Sequence, residues 1–447
     1  MADEKPFHLQ GNFAPVEDEI TAHDLEVEGA IPPELEGLYV RNGANPPSGV
    51  SEHWFMGQGM LHGVQLSGGQ ARSYRNRYVQ TPYMENPDLQ RISDTGQIDR
   101  TASVANTHVI GHAGKILALE EGSFPYLLDR ELNTIGCTDF EGRLTTAFSA
   151  HPKICPVTGE LLSFGYGQLP PYLTYLRVSP DGKLVQTEEI AVPGPTMMHD
   201  FAITGQRALF MDLPVVFDLE AAMAGTMPFK WSDDYGARIG IMPRTGTNAD
   251  VVWFEIEPCY VFHGMNAWDE GDRVVYDVCR MSEIWREAGD MQSGDGEITL
   301  HRFSFDLASG TVKEETLDDR SMEFPRVAAA RVGQKNRFGY TLAFGEGEGG
   351  APAMAGYYKF DLQTGTSEHA VAGPGRSPGE PVFVPAPGAE ADSDDGYLLS
   401  FVFDGPTNRS ELVISDASNF ANDPVARVKL PQRVPFGFHG SWIPDAD

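Results

Sequence analysis

In the stretch HRFSFDLASGTV, His301–Val312, polar and apolar side chains alternate up to Asp306 and then give way to small residues and a glycine. A period of two is the mark of a strand with one buried face, and the Ala-Ser-Gly that follows is the mark of a tight turn into a second strand. The same signature returns in YLTYLRVSPDGKL from Tyr172 and in YYKFDLQTGTS from Tyr357. A strand ending in aspartate just before a turn occurs at Asp129, Asp306, Asp361 and Asp416, and the last three are 55 residues apart. Hairpins repeating at about that period predict an all-β chain of four-stranded blades, a β-propeller. A large β-sandwich or two barrels is the structural alternative.

The 447 residues read as one domain, 1–447, because propellers exceed the usual domain length as single units. With 48 Gly and 32 Pro, turns should be frequent and helices short. Two segments break the β pattern and are expected as short helices, Phe217–Trp231 and Ser282–Gln292. In the first, Phe217, Leu219, Met223, Met227 and Phe229 form an apolar set, read first as core and second as a surface over a cavity or against a membrane. The excess of 64 acidic over 33 basic residues, a formal charge of −31, repels phosphate backbones and excludes nucleic acid as a partner. Cys137, Cys155, Cys259 and Cys279 form no CxxC pair, so neither a structural zinc site nor a redox dithiol is expected. No secretory pattern opens the chain and no apolar run approaches the roughly 20 residues of a membrane span, which gives a cytoplasmic expectation.

Four histidines stand beside apolar or aromatic strands: His151 in SAHPK, His199 in MMHDF, His263 in VFHGMNAW and His439 in FGFHGSW. In a propeller, residues far apart in sequence can meet on the inner strands of several blades. Four neutral imidazoles suit Fe(II), copper or zinc, and the residue types alone do not choose among them. The other eight histidines read as core or surface residues. Ligand imidazoles need an acceptor on the second ring nitrogen, and Glu121, Glu323 and Glu380 lie at the edges of apolar strands where they could supply it.

EGAIPPELEGLYVRNGANP, HWFMGQGMLHG, the four histidine settings, EFP and EPVFV together resemble the carotenoid cleavage oxygenase family, in order across almost the whole chain. The resemblance implies a seven-bladed β-propeller with a helical and loop dome over one face. It implies Fe(II) held by His151, His199, His263 and His439, with Glu121, Glu323 and Glu380 orienting His199, His263 and His439 in turn. It places Thr107 beside the open iron position. The implied reaction splits a conjugated C=C bond with O2 as co-substrate into two carbonyl products, with no organic cofactor. The implied partner is an apolar conjugated small molecule. A weak peripheral contact of the dome with a membrane is also allowed, and no obligate protein partner is expected.

Phe124, Tyr126, Phe262, Trp268 and Phe438 lie near these motifs and are candidates to line an apolar tunnel. Phenol-binding bacterial relatives carry a lysine directly before the first glutamate, where this chain has Glu120. A carboxylate repels a phenolate, so Glu120 points to an apocarotenoid rather than a stilbene or phenylpropenoid substrate. From other classes, a propeller that binds apolar ligands without chemistry would need no set of histidines, and a metal-dependent hydrolase would favour oxygen ligands.

Overall fold

The computed structural model describes residues 5–93, 96–224, 226–286, 296–345 and 353–445. They are almost entirely β, and they fall into two compact units. One comprises Met1–Glu141, Tyr340–Phe360 and Thr366–Asp447, the other Gly142–Gly339 and Asp361–Gly365.

Three four-stranded antiparallel sheets follow one another in the second unit, opening with Lys153–Ile154, Phe201–Ile203 and Tyr260–Glu270. A two-stranded sheet of Val215–Phe217 and Phe229–Trp231 lies within the same stretch of chain. In the first unit, His108–His112 opens another four-stranded sheet. A five-stranded sheet there joins the chain ends, since the C-terminal strand Gly440–Pro444 pairs antiparallel with Gly37–Arg41. Val27–Gly29 in turn pairs with Ala426–Lys429 in a six-stranded sheet. The seventh sheet runs from Met322–Arg326 to Thr366–Val371 and contains the point where the chain passes from one unit to the other. Seven sheets of blade size therefore stand among the described residues.

The aspartates that end strands show why the hairpins form. Asp306 Oδ1 accepts from the amides of Ala308 and Ser309, Asp361 Oδ1 from Gln363 and Thr364, and Asp416 Oδ1 from Ser418 and Asn419. Each carboxylate thus caps its own turn and satisfies amides that no strand partner reaches. Between the hairpins the apolar faces pack into separate clusters, such as Phe164, Tyr175, Phe201 and Phe210 in the second unit.

Two expectations need correction. The helix in Phe217–Trp231 covers only Leu219–Met223, because strands flank it on both sides. Leu219 and Met223 stand one turn apart on its exposed side, so for these two the core reading fails, while Phe229 is buried against Phe217. Of Ser282–Gln292, residues 282–286 are not helical and the remainder lies outside the described residues. Among the described residues no helix is long and apolar enough to cross a membrane.

Asp361 also receives Arg337 Nε and Nη2 at 3.0 and 2.7 Å. That guanidinium and the turn amides hold its carboxyl below the usual range against the opposing effect of burial. A depressed pKa stabilises the fold above the ordinary carboxylate value and loses that contribution as pH falls through the lowered one. Asp361→Ala is expected to reduce stability by about 1 kcal/mol at neutral pH. In denaturant titrations the difference from the parent should shrink on acidification below about pH 4.

Candidate metal centre

Each histidine singled out from the sequence lies in an edge strand or just before one. His151 and His199 lie in the loops just before Lys153–Ile154 and Phe201–Ile203, His263 lies within Tyr260–Glu270, and His439 precedes Gly440–Pro444. Loops at strand ends are free of ladder geometry, so their side chains can be aimed individually. His263 gains the same freedom inside a strand through irregular pairing. Three steps from Val261 to Gly264 oppose two from Arg280 to Val278, and a second shift follows at Gly264 to Asn266. Extra residues of this kind bend a strand and re-aim its side chains.

In the second unit the imidazoles of His151, His199 and His263 converge. His199 Nε2 lies 3.0 Å from His151 Nε2 and 3.2 Å from His263 Nε2. His263 Nδ1 lies 2.6 Å from Glu323 Oε2, with both side chains buried. A neutral imidazole that donates from Nδ1 carries only a lone pair on Nε2. Three Nε2 atoms this close cannot all be satisfied by protons, and a cation shared among them removes the repulsion. Two nitrogens held about 2.1 Å from one ion at a right angle lie about 3.0 Å apart, which matches the observed spacing. The donor set therefore fits a divalent transition metal.

The supports around this group are specific. Phe324 adopts φ 54°, a conformation that side-chain-bearing residues rarely take, and its ring stacks on His263 with centroids 5.3 Å apart. Glu323 Oε2 also accepts from the Phe324 amide, so one carboxylate holds the ring partner and the imidazole together. Phe262 meets His199 edge-on at 5.2 Å. Sequence reasoning missed Phe324, although its signal stood in EFP.

In the first unit, His439 Nδ1 lies 2.9 Å from Glu380 Oε1, and Glu380 Oε2 accepts from the Gly440 amide. The His439 amide donates to the Thr107 carbonyl, while the Thr107 hydroxyl turns to Asn106 Oδ1. Phe438 is buried among Trp54 and Phe55. Phe124 is half-buried, with its amide on the Arg100 carbonyl.

Glu120 and Glu121 lie past the end of Lys115–Leu119, so alternation of strand faces does not separate them. Glu121 is half-buried. Glu120 is held by the amide of Gly122 at 2.8 Å, the Ser103 hydroxyl at 3.3 Å and Arg91 Nη2 at 3.5 Å. Burial raises its pKa, but the Arg91 charge and hydrogen bonds from Ser123 and Gly122 outweigh that and bring it below the usual value. It is a carboxylate at neutral pH.

Two tunnel candidates are corrected. Tyr126 belongs to the apolar cluster with Leu61, Val109 and Leu128, and its hydroxyl donates to the Thr101 carbonyl. Trp268 lies five residues beyond His263, about 16 Å along a strand, with its indole N–H on Glu270 and Arg302 over its ring. Its aromatic character serves a cation contact rather than a tunnel wall.

Residues 13–444 match the family described as "Retinal pigment epithelial membrane protein". A "Carotenoid cleavage oxygenase" of Mycobacterium tuberculosis is 38% identical, with 98% of this chain and 97% of that one aligned. The chain belongs to the carotenoid cleavage oxygenase family. A "Carotenoid 9,10(9',10')-cleavage dioxygenase" of Crocus sativus is 36% identical over 98% of this chain and 89% of its own. The crystal structure of Pseudomonas brassicacearum lignostilbene dioxygenase superposes with a TM-score of 0.89 at 31% identity, covering 99% of this chain and 100% of that one. Cobalt-substituted Synechocystis apocarotenoid oxygenase gives 0.85 at 28% identity, over 97% and 98%. The seven larger sheets are thus the blades of a seven-bladed propeller, and the protein is an oxygenase.

If the glutamates orient the ligand imidazoles, Glu323→Gln and Glu380→Gln should each weaken metal affinity about 10–100-fold, and Glu121→Gln should do the same. Isothermal titration of the metal-free variants measures this directly.

Proposed function

We propose that this protein is an Fe(II) dioxygenase that cleaves a conjugated C=C bond of an apocarotenoid into two carbonyl products. The observation that carries the reading is the convergence of three imidazole Nε2 atoms, one of them fixed by Glu323. His439, oriented by Glu380 as His263 is by Glu323, is proposed as the fourth ligand. Bound by these histidines, Fe(II) would supply the activation of O2. The residues of the chain do the rest. Neutral imidazoles contribute no charge, so the ion keeps its full positive charge for a bound co-substrate. Glu323 and Glu380 fix ring orientation, and Phe262 and Phe324 offer apolar ring faces beside His199 and His263 that exclude water from their flanks. Thr107, held by its backbone against His439, is proposed to limit access to the open side of the ion.

The substrate class rests on Glu120. A lysine there would hold a phenolate by a charge-assisted bond of about 1.5–3 kcal/mol, a preference of about 10–150-fold. Glu120 presents a carboxylate already engaged by Arg91, which removes that preference. The relatives named for carotenoid cleavage agree with this reading. The likeness to lignostilbene dioxygenase favours a second one, cleavage of a phenolic stilbene.

Metal analysis should give one Fe per chain, and His263→Ala should lose it. With a single iron-loaded preparation, an apocarotenoid should show a higher kcat/KM than a 4-hydroxystilbene or isoeugenol. A tenfold advantage for the phenolic alkene would overturn the assignment of Glu120.

A further inference from the structure

Asp200 follows His199 directly and is 1% exposed, and neither orientation of an imidazole nor hairpin capping accounts for it. Its two oxygens reach all three histidine-bearing segments of the second unit. Oδ1 receives Lys153 Nζ at 2.7 Å and the Phe201 amide at 2.7 Å, and Oδ2 receives the Gly264 amide at 3.0 Å. Lys153 is two residues from His151, Phe201 two from His199, and Gly264 one from His263.

These bonds occur where ordinary pairing fails. His151 and His199 lie in loops, and the strand at His263 is irregular on both sides of Gly264. The Gly264 amide turns instead to Asp200, and a Cβ at Gly264 would collide with the Tyr276 ring, so only glycine brings this backbone close enough. Glu323 sets the rotation of the His263 ring, but nothing in that bond sets the distance between three separate segments of backbone. The Asp200 carboxylate, fixed beside His199 by the Phe201 amide, links its own segment to the Gly264 backbone and to the Lys153 side chain.

We infer that Asp200 is a positioning residue that fixes the mutual spacing of His151, His199 and His263: beside His199, its one carboxylate holds the backbone next to His263 and the side chain of Lys153, two residues from His151. The inference rests on the metal-centre reading and adds to it the element that preforms the site before metal arrives. Replacing the carboxylate should leave the histidines present but less well spaced, an effect read in affinity and ligand field rather than in folding.

The test uses the full-length metal-free protein and Co2+, whose visible absorption reports both binding and coordination. Asp200→Asn retains shape and one acceptor oxygen but sets an amide N–H2 against either Lys153 and Phe201 or Gly264. It is expected to bind Co2+ about 10–100-fold more weakly than the parent with shifted absorption bands, while keeping the far-ultraviolet circular dichroism of the parent. Lys153→Met leaves both backbone bonds of Asp200 and should weaken binding less than tenfold. Parent-like affinity and bands in folded Asp200→Asn overturn the inference while the metal-centre reading stands. Should Asp200→Asn fail to fold, Lys153→Met decides: weaker binding with shifted bands supports the inference, and unchanged binding overturns it. A parent protein that takes up no Co2+ overturns the metal-centre reading and this inference together.

Discussion

The 2.6 Å bond between His263 Nδ1 and Glu323 Oε2 decides what the neighbouring nitrogens can be. It commits the ring proton to one side and leaves a lone pair on the other. With Nε2 of His199 at 3.2 Å and that of His151 a further 3.0 Å away, the group is complementary to a positive ion. A cation shared among such lone pairs would relieve their repulsion, which is why this donor set fits a divalent metal. His439 with Glu380 repeats the device on another part of the chain.

Regular and irregular backbone divide the labour. Several hairpins are locally self-sufficient, closed by an aspartate that takes up its own turn amides. That scaffold can be rigid because nothing chemical is asked of it. The three histidines of the second unit converge where the ladder breaks: two loops, a doubly irregular strand at His263 and a left-handed phenylalanine at 324. Such conformations cost about 1–3 kcal/mol each when they are strained and persist only where neighbours enforce them. Here the Glu323 carboxylate and the stacked imidazole do so.

Charge acts on two scales. The acidic excess over the whole chain sets which partners can approach and says nothing about the reaction. A single half-buried carboxylate, Glu120, is paired with Arg91 and fixed by the Gly122 amide, and the proposed choice of substrate rests on it.

The hairpin pattern was determined by the sequence because it is local: alternation at a period of two and an aspartate ahead of a glycine turn involve only neighbours in the chain, as at His301–Val312. The histidine and glutamate settings were legible for another reason, being short motifs whose order along the chain resembles that of the family. Where the histidine-bearing segments of the second unit meet was decided by tertiary structure alone. Periodicity marks Phe262 and Trp268 alike as strand aromatics, yet one touches His199 and the other stacks under Arg302. Glu120 and Glu121 follow an apolar strand in the sequence, and only the structure shows that the strand ends at Leu119. Asp200 and Phe324 carry no pattern of their own. Their roles arise from distances between segments tens of residues apart, set by how separate sheets pack, and no local spacing encodes that.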